Sequence, residues 1–245
     1  MKLKDKVAVI TGGSRGLGKA IARQFLEEGA VVVITATKED KLRSTAEELG
    51  TLGKIEGVVM NVSQFGDVQE KMGSIIEKYG RVDILVNNAG ITADAQLVKM
   101  TEEQFDSVIA VNLKGVFNCT KAVAGKMTEQ EYGRVINISS VTAHNGNFGQ
   151  TNYTASKAGV IAMTQTWAKE LGKKGITVNA VAPGYTLTEM VEAVPEKAIE
   201  AIKEKTPVKR LGKPEEIAAA CVYLSSDEAA FVTGAVLKID GGLVL

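Results

Sequence analysis

Short apolar, β-branched runs recur along the chain at 7–11, 31–35, 55–61, 84–87, 135–139, 177–182 and 236–239. Each is nearly continuous in hydrophobicity, the pattern of a strand covered on both faces. Between the runs, apolar positions switch to helical spacing. Leu17, Ile21 and Phe25 recur every four residues, and similar stripes run through 39–50, 65–79, 102–127, 153–173 and 214–224. Strand alternating with helix predicts an α/β, doubly wound architecture, a seven-stranded parallel sheet with helices on both faces. No linker, repeat or low-complexity segment interrupts it, so residues 1–245 read as one domain. The rhythm breaks at 186–210, where a charged helix over 195–205 predicts a flap inserted above the carboxyl ends of the strands. Such sheets bind ligands at that edge.

Composition narrows the chemistry. Lys+Arg and Asp+Glu balance at 29 each, so no basic stripe points to nucleic acid or an anionic membrane. The first residues run straight into a strand without a signal-peptide pattern, and no apolar run reaches transmembrane length. Cys119 and Cys221 lie in apolar helical context and read as buried small hydrophobes, which fits a reducing cytoplasm. The single histidine, His144, leaves no ligand set for a His-rich or Cys/His site, so no metal is expected. A Ser-His-Asp hydrolase would have to use that residue, and no Gly-x-Ser-x-Gly elbow accompanies it.

Directly after the first run comes Thr11-Gly12-Gly13-Ser14-Arg15-Gly16-Leu17-Gly18, opening a helix. Glycines at 12, 16 and 18 permit a tight turn, backbone approach to a pyrophosphate and close packing of helix on strand, with the helix N-terminus facing the anion. A Walker A reading fails because Ala20 stands where a Ser or Thr must bind Mg²⁺. The loop therefore predicts a Rossmann-type dinucleotide site, with Gly12, Ser14, Arg15, Gly16, Leu17 and Gly18 against the cofactor. The second run ends Thr35-Ala36-Thr37-Lys38 without an acid for a ribose 2′-hydroxyl, while Arg15, Lys38 and the Thr37 hydroxyl suit a 2′-phosphate. That favours NADP(H). Glu39 and Asp40 follow closely enough to leave NAD(H) open. Asn61-Val62 and Asn87-Asn88-Ala89-Gly90, at the ends of the third and fourth runs, suit backbone approach to a ribose, although Asn there often only turns the chain.

Tyr153 and Lys157 are four apart on one helix face, and Ser140 lies thirteen positions before the tyrosine. A lysine cation ~4 Å from a phenol, at an effective dielectric of ~20, attracts the phenolate by ~4 kcal/mol. That is enough to bring the phenol from its usual ~10 to near neutral. Alone, a Tyr-x-x-x-Lys pair is more often a solvated helix face.

Together these residues resemble the short-chain dehydrogenase/reductase family over essentially the whole chain. The resemblance rests on Gly12/Gly16/Gly18, Asn87-Asn88-Ala89-Gly90, Asn112 in Val-Asn-Leu-Lys-Gly, Ser140, Tyr153-x-x-x-Lys157, Pro183-Gly184 and Asp240-Gly241-Gly242, in that order. It implies that Tyr153 donates a proton to a carbonyl oxygen, that Ser140 holds that oxygen, that Lys157 holds the nicotinamide ribose and lowers the phenol's pKa, and that Asn112 anchors a water relaying protons to Lys157. Polar packing is the plainer role for Asn112, and Ser139 is the neighbouring alternative to Ser140. The resemblance also places Val62, Asn88, Ala89, Gly90, Pro183, Gly184, Thr186 and Thr188 against the cofactor, and His144 and Phe148 beside the substrate.

Within the family the phrases Gly90-Ile-Thr, Gly149-Gln-x-Asn-Tyr153 and Arg210-Leu-Gly-Lys-Pro-Glu-Glu-Ile217 are most similar to bacterial 3-oxoacyl-acyl-carrier-protein reductases. This implies NADPH-dependent reduction of a 3-oxoacyl thioester in fatty acid biosynthesis, in a cytoplasmic homotetramer. Wide apolar arcs on the 102–127 and 153–173 stripes fit helix pairing between subunits. Two departures keep an acyl-CoA, a small ketone or a secondary alcohol open as substrate. Ala93-Asp94 stands where Arg-Asp is usual, and Thr128-Glu129-Gln130-Glu131 puts acid where an acidic carrier protein is expected to dock. A non-catalytic NADP-binding sensor or scaffold is the remote alternative, opposed by the presence of Asn112, Ser140, Tyr153 and Lys157 together.

Overall fold

A computed structural model describes residues 1–188 and 196–243. Its strands are β1 (Val7–Thr11), β2 (Val31–Ala36), β3 (Ile55–Val59), β4 (Ile84–Asn87), β5 (Gly133–Ile138), β6 (Ile176–Pro183) and β7 (Val236–Ile239). They form one seven-stranded sheet in the order β3-β2-β1-β4-β5-β6-β7, and every pairing is parallel. The helices between them are α1 (Gly16–Glu27), α2 (Glu39–Leu49), α3 (Phe65–Tyr79), α4 (Glu102–Ile109), α5 (Gly115–Gln130), the single turn α6 (Thr142–Asn145), α7 (Thr151–Leu171), α8 (Glu196–Lys205) and α9 (Pro214–Ser225).

A separate core fills each face of the sheet. On one, Ile10, Ile34 and Ile136 meet Ile21 and Phe25 of α1 and Ile217 of α9. On the other, Val9, Leu85 and Val135 meet Met72 of α3 and Val123 of α5, with Trp167 of α7 packed against them. Each large side chain removed from water in this way contributes ~1.5–3 kcal/mol. The edge strands depart from two-sided burial: β3 pairs only with β2, and Val59 keeps 42% of its surface exposed.

The expected helix over 102–127 is divided. A π-helical segment, Ala110–Lys114, separates α4 from α5. The apolar stripe continues across it, so sequence periodicity does not register the break. Buried Asn112 lies inside that segment and reaches back to Ile91. Such π-turns gather at functional sites. The third run is also shorter than its hydrophobicity predicts. The chain turns after Met60, where the Asp67 carboxylate accepts from Asn61 N at 2.6 Å and Asn61 Oδ1 accepts from Ser63 N at 3.1 Å.

β1 and β4 are neighbours at the point where strand order reverses, which opens a crevice beyond their carboxyl ends. Thr186, within the expected 186–210 flap, is buried and bridges Gly212, and α8 follows. The expected start of the flap helix at Pro195 lies outside the described residues. Among the described residues no helix is long and apolar enough to cross a membrane.

Candidate active site

The loop after β1 and the loop after β4 are joined by Thr11, a residue sequence reasoning passed over. Its Oγ1 accepts from both Asn88 N and Ala89 N at 3.0 Å. Asn88 Nδ2 returns bonds to Thr11 O at 2.9 Å and Gly12 O at 3.1 Å. The loops are then so close that Gly12, at φ +66°, has no room for a side chain: a Cβ there would lie 2.9 Å from Ala89 Cα. Gly18 is equally confined, against the Gly12 carbonyl. Gly16 takes φ +51° just where α1 begins, and the first turn of α1 carries no acid to oppose an anion.

One cavity of about 890 Å³ occupies the crevice. Of the residues expected to meet the cofactor, Gly12, Ser14, Arg15, Gly16, Leu17, Thr37, Asn61, Val62, Asn88, Ala89, Gly90, Pro183, Gly184, Thr186 and Thr188 all line it. Gly18 lies behind the wall, where it lets α1 approach β1. Tyr153, Lys157 and Ser140 line the same cavity, and Asn112 does not. Lys38 and Lys41 join Arg15 and Thr37 on the wall, and Asp40 lines an adjoining hollow with Ser14, Arg15 and Lys41. Lys41 was missed, although it follows Lys38 by one turn at the start of α2. A groove with a backbone cradle, grouped cations and no room for glycine side chains fits an extended phosphorylated dinucleotide.

Ser139 and Ser140 separate cleanly. Ser139 Oγ is buried and donates to the Lys157 carbonyl at 2.9 Å, so it is committed to the backbone of α7. Ser140 Oγ accepts from Thr142 Oγ1 at 3.0 Å and lies close enough to the Tyr153 phenol to favour its ionised form. Ser140 is therefore the serine beside the tyrosine.

Lys157 corrects an expectation. Its Nζ donates to Ile138 O at 2.7 Å and lies 5.6 Å from the centre of the Tyr153 ring. Burial pushes its ammonium down to about 8. The Tyr153 phenol is pushed up, first by burial and also by the Asp94 charge, with the nearby Ser140 hydroxyl partly offsetting both. With the ammonium turned onto a carbonyl, burial outweighs its attraction and the phenol stays above its ordinary value. The phenol is consequently held in its protonated form around neutral pH.

Asn112 is a clip. Its Oδ1 accepts from Ile91 N at 2.8 Å and its Nδ2 donates to Ile91 O at 2.9 Å, with a longer contact to Ser156 Oγ at 3.4 Å. What it fixes is the backbone beside Lys157: a Cβ on Gly90 would lie 3.4 Å from Asn112 Oδ1 and 3.6 Å from Lys157 Nζ. Two further asparagines serve similarly. Asn118 Nδ2 holds Val62 O at 2.8 Å, and Asn152 Nδ2 holds Ala93 O at 2.9 Å and Gln104 O at 3.0 Å. Asparagine is a poor helix former, and its presence inside apolar helical stripes was the available signal.

A family model described as Enoyl-(Acyl carrier protein) reductase matches residues 12–244. A Thermotoga maritima protein described as 3-oxoacyl-[acyl-carrier-protein] reductase FabG is 51% identical over 246 residues, with all of both chains covered. Proteins of the same description from Vibrio cholerae and Escherichia coli are 44% and 42% identical over 245 residues, again with all of both chains covered. A crystal structure from Agrobacterium tumefaciens, provisionally assigned as a gluconate dehydrogenase, superposes with a TM-score of 0.96 at 33% identity, covering 100% of this chain and 98% of that one.

Proposed function

The chain belongs to the short-chain dehydrogenase/reductase family, and on that premise we propose that it reduces 3-oxoacyl thioesters carried on acyl carrier protein, using NADPH, in fatty acid biosynthesis. The observation that carries this reading is the convergence of Ser140, Tyr153 and Lys157 at one end of a cavity whose other end is the glycine loop. When bound there, the reduced nicotinamide supplies the hydride.

The chain's own groups supply everything else. Gly12, Gly16 and Asn88–Gly90 form the backbone cradle for the dinucleotide, and Arg15, Lys38 and Lys41 supply the positive charge that favours a 2′-phosphate. Ser140 fixes the carbonyl oxygen of the substrate by a hydrogen bond, and Tyr153 delivers its phenolic proton to that oxygen. The phenolate then left behind is stabilised by the Lys157 ammonium. A cation that acts on the phenolate only as it forms assists the reaction without ionising the resting tyrosine. Thr186 and Thr188 line the cavity.

The acidic turn at 129–131 is weaker grounds for a CoA thioester or free ketone than its sequence implied. It lies at the amino end of β5, whereas Ser140 follows the carboxyl end. Glu129 is also paired with Lys126 at 3.8 Å. Assembly follows from two separate apolar faces, Phe105 and Phe117 on α4 and α5, and Tyr223 and Phe231 near the carboxyl end, with Phe231 fully exposed. Two different self-pairing faces generate a homotetramer. The protein works in the cytoplasm.

The test is a side-by-side assay of acetoacetyl-ACP, acetoacetyl-CoA and simple ketones with NADPH and NADH. The reading expects the carrier-bound thioester with NADPH to be turned over best. Equal rates irrespective of carrier point to a small-ketone reductase instead, and tight NADPH binding without turnover to a sensor.

A further inference from the structure

Among the described residues, Asp94 is the one carboxylate on the cavity wall. The cations have other places: Arg15, Lys38 and Lys41 lie at the glycine-loop end, and the Lys157 ammonium is turned onto Ile138 O at 2.7 Å. Asp94 belongs to the segment after β4 that is fastened to the start of the Tyr153 helix. Ala95 N donates to Gly149 O at 2.9 Å, Ala95 bridges Gln150, and Asn152 Nδ2 donates to Ala93 O at 2.9 Å. The carboxylate itself is held by Gln150 Nε2 at 2.8 Å, and Gln150 Oε1 accepts in turn from Asn147 Nδ2 at 3.0 Å. Because Gln150 directly precedes α7, the acid is fixed relative to Tyr153. Its charge reaches the phenol and adds to the effect of burial there.

A fixed negative charge at the reacting end discriminates between substrates. A 3-oxo thioester is uncharged on either side of its ketone, whereas a free 3-oxo acid carries a carboxylate two carbons away. We propose that Asp94 is a specificity-determining residue that rejects free oxo-acid anions by repulsion and so reserves the site for uncharged thioesters. The inference rests on the thioester-reductase reading above.

The experiment measures NADPH oxidation with acetoacetyl-N-acetylcysteamine and with acetoacetate, for the wild type and Asp94→Asn, at low and high salt. Asparagine keeps the oxygen that accepts from Gln150 and removes only the charge. The ratio of kcat/KM for thioester over acid is expected to fall about fivefold in Asp94→Asn, the effect of two unit charges ~7 Å apart at an effective dielectric of ~50. Salt is expected to lower that ratio in the wild type and leave it level in the variant. Equal ratios with equal salt dependence overturn the proposal. If neither protein turns over acetoacetate measurably, its inhibition constant against the thioester replaces kcat/KM: a drop of about fivefold in the variant supports the proposal, and no drop overturns it. A wild type that reduces acetoacetate and not the thioester sinks the thioester reading, a result separate from either.

Discussion

The Ser139 hydroxyl is bound to the Lys157 carbonyl at 2.9 Å, while its neighbour Ser140 faces the Tyr153 phenol. Both line the cavity, but the Ser139 hydroxyl is committed to the helix backbone while Ser140 is the one beside the phenol. Ser140→Ala is expected to lower kcat by about 10²-fold, the usual loss for a donor at a developing oxyanion, with little change in melting temperature. Ser139→Ala is expected to cost about 1 kcal/mol of stability and to keep most of the activity. Steady-state kinetics and thermal denaturation of the two variants decide it, and the reverse pattern would exchange the roles.

The pH profile follows from the raised Tyr153 phenol. Reduction needs the protonated phenol, so its rate is expected to stay level through neutrality and fall only in alkaline solution. Oxidation of the 3-hydroxy product needs the phenolate and is expected to rise over the same range. Tyr153→Phe should abolish both directions while leaving NADPH binding, read by fluorescence, within a few-fold of wild type. A reduction rate that already falls between pH 6 and 7 would contradict the protonated resting state.

Coenzyme choice tests a group the sequence reading overlooked. Lys41 shares the cavity wall with Arg15 and Lys38, at the end where a 2′-phosphate would sit. Replacing Lys41 by Ala is expected to lower the NADPH-over-NADH ratio of kcat/KM by about five- to tenfold, since one partly exposed charge pair contributes ~1 kcal/mol or slightly more. The change should appear mainly in KM for NADPH. A variant whose preference is unchanged assigns the discrimination to Arg15 and Lys38 alone.

What could be read from the sequence divides along physical lines. The strands over 7–11, 84–87 and 236–239 and the helix over 65–79 coincide with the structure because burial on both faces or on one stripe leaves a periodic trace. The glycine loop was legible for a different reason: close approach of Gly12 to Ala89 permits no other residue. The π-helical break at Ala110–Lys114 leaves no trace in periodicity, being tied to the reach of Asn112 to Ile91, 21 residues away. Nor does four-residue spacing say where a lysine's flexible chain ends. It placed Lys157 on the face of Tyr153, and the carbonyl of Ile138 took the ammonium. Thr11 and Asn118 were missed because each acts through backbone it holds rather than through a recognisable motif.

Lys157 also makes the site expensive to maintain. Its ammonium is buried and pushed down to about 8 from 10.5. The unfolded chain therefore binds more protons than the folded one between those values, and stability rises with pH across that window. Below about pH 8 the folded state carries the full cost of a buried charge, on the order of 3 kcal/mol by proton linkage. Lys157→Met removes the charge and the bond to Ile138 O together. At neutral pH the variant is expected to be more stable than wild type by roughly 1–2 kcal/mol, the linkage cost less the lost hydrogen bond, and to have lost nearly all activity. Raising the pH from 8 toward 10 should narrow the gap, because the wild type is relieved of its charge and the variant has none to lose. Urea denaturation of both proteins across that range measures it. A gap that stays constant with pH, or a wild type whose stability falls over the window for reasons the variant does not share, would show that the folded lysine keeps its ordinary proton affinity.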